Sequence, residues 1–92
     1  MISVPSRAEL LEDIVAILSD QTGVQFSGSI DENTRMFADL GLASIDAVVL
    51  SETLQKRFDR TLPFNLLMAE VGRKSERDLS IGELIEFLTA HL

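Results

Sequence analysis

The chain has 92 residues, of which 46% are hydrophobic and 25% charged, a balance that favours a folded domain over intrinsic disorder. This length has room for one small core, so we predict a single domain over residues 1–92 and exclude a large multi-substrate enzyme within it. With no Cys, one His and a net charge of −7, the sequence argues against disulfides, a metal site, Cys or Ser-His catalysis and nucleic-acid binding.

The first predicted element is a helix over residues 6–20, because apolar residues recur at spacings of three and four. Ser6 and Glu9 form a capping-box pattern at its start, and Gly23 follows its last turn. The apolar stripe that should face the core comprises Leu10, Leu11, Ile14, Ile17 and Leu18.

A long loop is predicted next, because the polar residues 21–34 show no sustained period and include two glycines. We expect this loop to cross the ends of the helices. Four apolar residues in and after it are the expected inward anchors: Ile30, Met36, Phe37 and Leu40.

A second helix of about four turns is predicted to begin at Ser44 and to end near Thr61, since Pro63 cannot continue a helix. Its expected apolar stripe contains Ile45, Val48, Leu54 and Phe58, with Val48 facing inward.

Two further helices complete the predicted fold. Residues 64–71 favour one weak, short helix that Gly72 stops before the charged tract 73–78. Ser80 and Glu83 form a second capping-box pattern, at the start of a last helix that runs nearly to Leu92. Without alternating strand segments or internal repeats, the fold class is all-α: a small bundle of three main helices plus one short helix.

The most informative motif runs from Phe37 to Asp46, where a loop containing Asp39 and Gly41 leads to Ser44. Taken alone, it has a structural interpretation, because Ser is a favoured N-cap that stabilises a helix start by about 1 kcal/mol. A functional interpretation stands beside it. A helix N-terminus has free N–H groups and a partial positive charge, which suit a phosphate attached to Ser44.

This constellation resembles the acyl and peptidyl carrier protein family, in which a loop ending in Asp-Leu-Gly-Leu-Asp-Ser-Leu delivers a serine that carries 4′-phosphopantetheine. The matching residues here are Asp39, Leu40, Gly41, Leu42, Ala43, Ser44 and Ile45. The resemblance extends over nearly the whole chain. It includes the second helix, the Leu62-Pro63 segment that follows it, and the final helix.

The resemblance implies that residues 1–92 form one carrier domain, a monomer that is a substrate of enzymes and not an enzyme itself. A phosphopantetheinyl transferase would attach 4′-phosphopantetheine from coenzyme A to Ser44, with any magnesium belonging to that enzyme. The arm would hold an acyl intermediate as a thioester for acyl-loading and acyl-processing enzymes of a polyketide or fatty-acid pathway. Three alternatives stay open: an aminoacyl or peptidyl carrier of a nonribosomal-type pathway, an unmodified helical interaction domain, and a small helical enzyme.

The second helix and the loop before it are the expected partner surface, because they flank the attachment site. Its predicted residues are Asp39, Leu42, Ile45, Asp46, Val49 and Glu52. Residues 44–63 contain three acids and three bases, whereas fatty-acid members of the family have a strongly acidic second helix. Val49 has two interpretations, a core contact or an apolar docking residue.

Two residues beside Ser44 depart from the family pattern. Ala43 stands where the family usually has an acid, so a carboxylate that transferases commonly engage is missing. Ile45 replaces the usual leucine, a change of shape within the same apolar class.

The expected location is the cytoplasm, with no membrane partner. No apolar run approaches the roughly 20 residues that a membrane span needs, and residues 1–9 lack the basic region and apolar core of a signal peptide. The length suggests a discrete protein rather than a module excised from a longer chain.

Overall fold

The computed structural model describes residues 5–23, 30–73 and 78–92. These residues form four helices: α1 (Arg7–Thr22), α2 (Ser44–Phe58), α3 (Phe64–Arg73) and α4 (Ile81–His91). The predicted all-α fold is confirmed, although α3, with 10 residues, is nearly as long as α4, with 11. Residues 24–29 of the predicted loop and 74–77 of the charged tract lie outside the described residues.

α1 confirms the predicted helix start and its glycine end. The Ser6 hydroxyl accepts a hydrogen bond from the Glu9 N–H, and the Glu9 carboxylate accepts one from the Ser6 N–H, both at 3.2 Å. At the other end Gly23 adopts the left-handed conformation, with φ of +74°. The predicted stripe faces the core: Leu10, Ile14 and Leu18 are buried, and Leu11 and Ile17 pack partly against them.

α2 turns a different stripe toward the core from the predicted one. Its buried residues are Leu50 and Leu54, and Phe58 packs partly against the core. Val48, predicted to face inward, is exposed, because it lies about 200° round the helix from Leu50. The inward face of α2 is formed by residues spaced by four: Leu50, Leu54 and Phe58. The predicted inward positions of Ile45 and Val48 are therefore wrong.

The end of α2 comes three residues before the predicted Thr61. Asp59 takes a left-handed conformation with φ of +50°, which terminates the helix. The Gln55 side-chain oxygen then accepts a hydrogen bond from the Leu62 N–H at 3.0 Å and turns the chain toward α3.

α3 runs through Gly72 to Arg73, so the prediction that Gly72 stops this helix is wrong. Leu67 and Val71 are buried, which shows that packing outweighs the low helix propensity of one glycine near the end. The Phe64 ring packs against Phe87 of α4, with ring centroids 5.0 Å apart.

α4 confirms the second predicted capping box. The Ser80 hydroxyl accepts from the Glu83 N–H at 3.1 Å, and the Glu83 carboxylate accepts from the Ser80 N–H at 3.2 Å. Its buried stripe contains Ile81, Leu84, Ile85 and Leu88. In the part of the chain that is described, no helix combines the length and apolarity needed to cross a membrane.

The segment before α2 is held against the start of α4. An isolated antiparallel bridge pairs Arg35 with Ser80, and the Met36 N–H donates to the Leu79 carbonyl at 2.9 Å. Met36 is 1% exposed. The other predicted anchors pack partly against the core: Ile30, Phe37 and Leu40. The predicted anchoring of this loop is confirmed.

Candidate functional site

A single helical turn formed by residues 35–41 leads to Ser44. The N–H groups of Asp39 and Gly41 donate to carbonyls four residues back, at 3.1 and 3.0 Å. Gly41 then takes φ of +68°, a left-handed conformation that costs a residue with a Cβ about 1–2 kcal/mol. Apart from Gly41 and its two chain neighbours, no described residue has a heavy atom within 4 Å of a Cβ built there, so Gly41 is required for conformation and not for space.

Ser44 is the first residue of α2, and Ala43 before it occupies the N-cap position. The structural prediction that Ser44 is the N-cap is therefore wrong by one residue. Ser44 is exposed, and its hydroxyl makes no hydrogen bond with any residue of the described part. Unlike a capping hydroxyl, it is free to react.

The first N–H groups of α2 are also available. An alanine side chain has no acceptor, so position 43 caps none of them. The N–H groups of Ser44 and Ile45 have no acceptor among the residues described. Free N–H groups and the helix dipole suit an anion on the Ser44 oxygen, an effect worth up to about 1 kcal/mol on an exposed site.

Asp46 stabilises the start of α2 from within the helix. Its carboxylate accepts a hydrogen bond from the Ala43 N–H at 2.8 Å, which is one half of a capping box. The other half needs a side-chain acceptor at position 43, which alanine lacks. Gln21, at the end of α1, donates from its amide nitrogen to the Asp46 carbonyl at 2.9 Å. Gln21 thus ties α1 to the helix start that presents Ser44, a contact that the sequence pattern did not indicate.

Asp39 holds the turn before Ser44 together. Its carboxylate accepts from the Arg35 N–H at 2.8 Å and forms an ion pair with the Arg35 guanidinium at 3.2 Å. The Arg35 backbone N–H, and then its side chain, hold the pKa of the Asp39 carboxyl below its ordinary value. Asp39 is exposed, so it can stabilise the turn and still face a partner.

Asp78, just before α4, binds backbone N–H groups in the first half of the same turn. One carboxylate oxygen accepts from the Phe37 N–H at 3.0 Å and from the Leu79 N–H at 2.8 Å, and the other accepts from the Ala38 N–H at 3.0 Å. Burial alone would raise the pKa of the Asp78 carboxyl. These three N–H groups and the charge of Arg35 outweigh it, and the pKa is lowered.

An apolar surface flanks Ser44. It consists of the large apolar side chains that stay exposed: Ile45 at 65%, Val48 at 50%, Val49 at 39% and Leu66 of α3 at 59%. Between α2 and α3 lies a groove of about 220 Å³, lined by Ala47, Val48, Ser51, Phe64, Asn65 and Met68. The exposure of Val49 favours docking over a core contact. Leu66 was not predicted, because exposure cannot be read from an apolar run.

The other predicted partner residues differ in accessibility. Leu42 is 8% exposed and packs in the core, so it leaves almost no surface for a partner, contrary to the expectation from the sequence. Glu52 is exposed and Asp46 is half-buried on α2. The predicted surface therefore retains Asp39, Ile45 and Val49 together with these two acids.

The basic residues of α2 lie at its far end from Ser44. The Arg57 guanidinium pairs with Asp13 of α1 at 2.6 Å. Lys56 is about 18 Å along the helix from Ser44, beyond the screening length of roughly 8 Å at physiological salt. The acids Asp46 and Glu52 are thus closer to Ser44 than any base of this helix, although the helix as a whole has no excess of acid.

Among the residues that the structure describes, no side chain forms a hydrogen bond with the Ser44 hydroxyl that could activate it. The His91 Nδ1–H donates a hydrogen bond to the Phe87 carbonyl in its own helix, at 2.9 Å, and its ring lies 4.5 Å from the Phe87 ring. Within the described ranges, no group of three His, Asp or Glu side chains is arranged to hold a metal ion.

Comparison with known proteins agrees with this geometry. The family model described as "Phosphopantetheine attachment site" matches residues 12–72, about two thirds of the chain. The matched range contains the turn of residues 35–41, Ser44 and all of α2. No solved structure matches the chain significantly.

Proposed function

Because the chain belongs to the phosphopantetheine attachment site family, whose members carry covalently attached 4′-phosphopantetheine, we propose that it is an acyl carrier protein modified on Ser44. The observation that carries this proposal is the exposed Ser44 hydroxyl at the start of α2, just after the turn of residues 35–41. It makes no hydrogen bond with any described residue. Domains of this family generally carry substrates and are not catalytic, and we extend that to this chain.

The residues around Ser44 fit a phosphodiester. The hydroxyl points into solvent without a competing hydrogen bond from the described residues, and the N–H groups of Ser44 and Ile45 are unpaired there. The nearest acid, Asp46, is engaged by the Ala43 N–H, which reduces its repulsion of a second anion. When bound, 4′-phosphopantetheine supplies a terminal thiol that a chain without Cys lacks, and this thiol carries acyl groups as thioesters.

The modification is a phosphoryl-type transfer from coenzyme A. The Ser44 oxygen forms the new bond to phosphorus, the bond to the adenosine bisphosphate portion breaks, and that portion leaves with the bridging oxygen. The Ser44 proton passes to a base that the transferase supplies, since no described residue beside Ser44 offers one. Carrier domains of this family interact with phosphopantetheinyl transferases and with further partner enzymes.

The apolar surface is the proposed docking site for those partners. Ile45 and Val49 are one helical turn apart on α2, and Ile45 directly follows Ser44. Glu52 continues the same face by one further turn and adds a negative charge. A partner with an apolar patch next to its active-site entrance would bury these side chains while receiving the arm. Weak docking suffices, because tethering keeps the cargo at high effective concentration.

The cargo class is part of the proposal. We favour an acyl cargo of polyketide or fatty-acid type, on the strength of the Asp39-Leu-Gly-Leu form of the motif. An aminoacyl or peptidyl cargo is the alternative, and an unmodified helical interaction domain is a second one. A monomeric state and a cytoplasmic location stay predictions.

The test is intact mass spectrometry of the purified chain after incubation with coenzyme A and a broad-specificity transferase. The proposal expects a gain of one phosphopantetheine mass, which disappears when coenzyme A is omitted. An unmodified interaction domain would gain nothing with several transferases. Loading the modified chain separately with acyl and aminoacyl donors, using their activating enzymes, then distinguishes the two cargo classes.

A further inference from the structure

Asp78 connects α4 to the turn that presents Ser44. The first N–H groups of a helical turn have no partner within the turn, and here the Phe37 and Ala38 N–H groups are such a pair. Both donate to the Asp78 carboxylate, each at 3.0 Å and each to a different oxygen. Hydrogen bonds to an ionised acceptor are stronger than neutral ones, so Asp78 helps to fix the start of the turn, beside Asp39 on the Arg35 N–H and the Leu79 carbonyl on the Met36 N–H.

The segment that carries Asp78 is itself held in place. The Ile81 N–H donates to the Thr34 carbonyl at 2.9 Å, and the Gly82 N–H donates to the Glu32 carbonyl at 2.8 Å. A Cβ at Gly82 would lie 2.9 Å from that Glu32 oxygen, so the two segments approach as closely as glycine allows. The carboxylate therefore projects from a fixed support.

The other end of the turn leads directly to Ser44. After Gly41 the chain enters the core with Leu42, whose N–H donates to the Met36 carbonyl at 3.2 Å. Only Ala43 then separates this anchor from Ser44. A change in the orientation of the turn would consequently move the helix start and the Ser44 hydroxyl.

We propose that Asp78 is a positioning residue for the modification of Ser44. By holding the N–H groups of Phe37 and Ala38, its carboxylate sets the direction in which the Ser44 hydroxyl is presented to the transferase. This inference rests on the proposed function. It assigns a role to a residue outside the matched range 12–72, on a segment that the Ser44 motif does not include.

The test compares three variants as substrates of one transferase: Asp78→Ala, Asp78→Asn and the control Ser80→Ala. The control removes the α4 cap two residues away, so it weakens the same segment, while the backbone pairing of Ser80 with Arg35 and the Asp78 contacts to the turn are kept. Asp78→Ala should lower kcat about tenfold with a much smaller change in KM, because a freed turn seldom holds the hydroxyl in the reactive position, whereas Val49 and Glu52 of the docking surface lie farther along α2. Asp78→Asn keeps one acceptor oxygen and should give an intermediate kcat.

Amide hydrogen exchange of the unmodified variants tests the structural step without any transferase. The Phe37 and Ala38 amides should be protected in the parent and in Ser80→Ala, and should lose protection in Asp78→Ala. A kcat of Asp78→Ala equal to that of Ser80→Ala, or a loss confined to KM, would overturn the inference. If the parent itself gains no phosphopantetheine, the proposed function fails instead, and the exchange data still decide whether Asp78 holds the turn.

Discussion

Replacing Gly41 by alanine tests whether the turn before Ser44 needs a left-handed residue. The φ of +68° costs an alanine about 1–2 kcal/mol, and no neighbour within 4 Å adds a steric penalty. Alanine also reduces the entropy of the unfolded chain, which returns roughly 0.4–1 kcal/mol. The net expectation is a loss of about 1 kcal/mol, or about 4–8 °C in Tm for a domain of this size.

Gly23 provides a matched control. It has φ of +74° and open space around its Cβ position, so Gly23→Ala should cost a similar free energy of unfolding. It lies at the end of α1 and not in the turn before Ser44. Only Gly41→Ala should therefore slow transfer of phosphopantetheine to Ser44.

The assays are urea unfolding of both variants and the initial rate of modification by one transferase. A Gly41→Ala chain as stable as the parent would contradict the backbone argument. Equal slowing by Gly23→Ala would show that general destabilisation controls the rate and that the turn has no special part.

Three further predictions concern single residues. Ala43→Asp and Ala43→Asn should each stabilise the chain by about 1 kcal/mol in urea unfolding, because either side chain can cap the first turn of α2. Only Ala43→Asp should speed the modification of Ser44. Equal modification rates for the two variants would show that the missing acid is unimportant. The rate of acyl loading should fall little with added salt, since apolar burial at Val49 is nearly independent of moderate ionic strength. A steep fall, together with faster loading of Val49→Glu than of Val49→Gln, would show that charge dominates the docking of partners. The lowered pKa of the Asp78 carboxyl stabilises the fold above its ordinary value of 3.8, and this contribution disappears as the pH falls through the folded-state pKa. The Tm difference between the parent and Asp78→Asn should thus be largest near neutral pH and shrink as the pH falls below 3.8, whereas a constant difference would contradict the assignment.

Local patterns predicted the capped starts of α1 and α4 and the glycine end of α1 correctly. Ser6 with Glu9, and Ser80 with Glu83, form the capping boxes that their spacing indicates. These features depend on residues three or four positions apart, so the sequence contains all the information that they need. The same holds for the left-handed glycine after α1.

The orientation of α2 was not predictable in this way. This helix has apolar residues on two faces, and the inward one is chosen by which face meets α1 and the rest of the core. Leu50 and Leu54 took that role, while Ile45 and Val48 stayed exposed beside Ser44. An apolar residue left outside a core looks the same in sequence as one inside it. That ambiguity also explains why Leu42 was expected at the partner surface.

Long-range contacts to the Ser44 segment had no sequence signal at all. Asp78 contacts Phe37 from 41 positions away, and Gln21 reaches Asp46 across 25 positions. Both are ordinary polar residues whose partners are backbone groups, so no matching side-chain pattern could reveal them.

Peptide mapping of the modified chain tests the central claim, attachment to Ser44, most directly. After incubation with coenzyme A and a transferase, the fragment containing Ser44 should carry one phosphopantetheine group, and fragments with Ser51 or Ser80 should not. Ser44→Ala should stay folded, with a stability loss below the roughly 1 kcal/mol of a lost N-cap, and should gain no mass. A group mapped to another serine, or a mass gain by Ser44→Ala, would contradict the account.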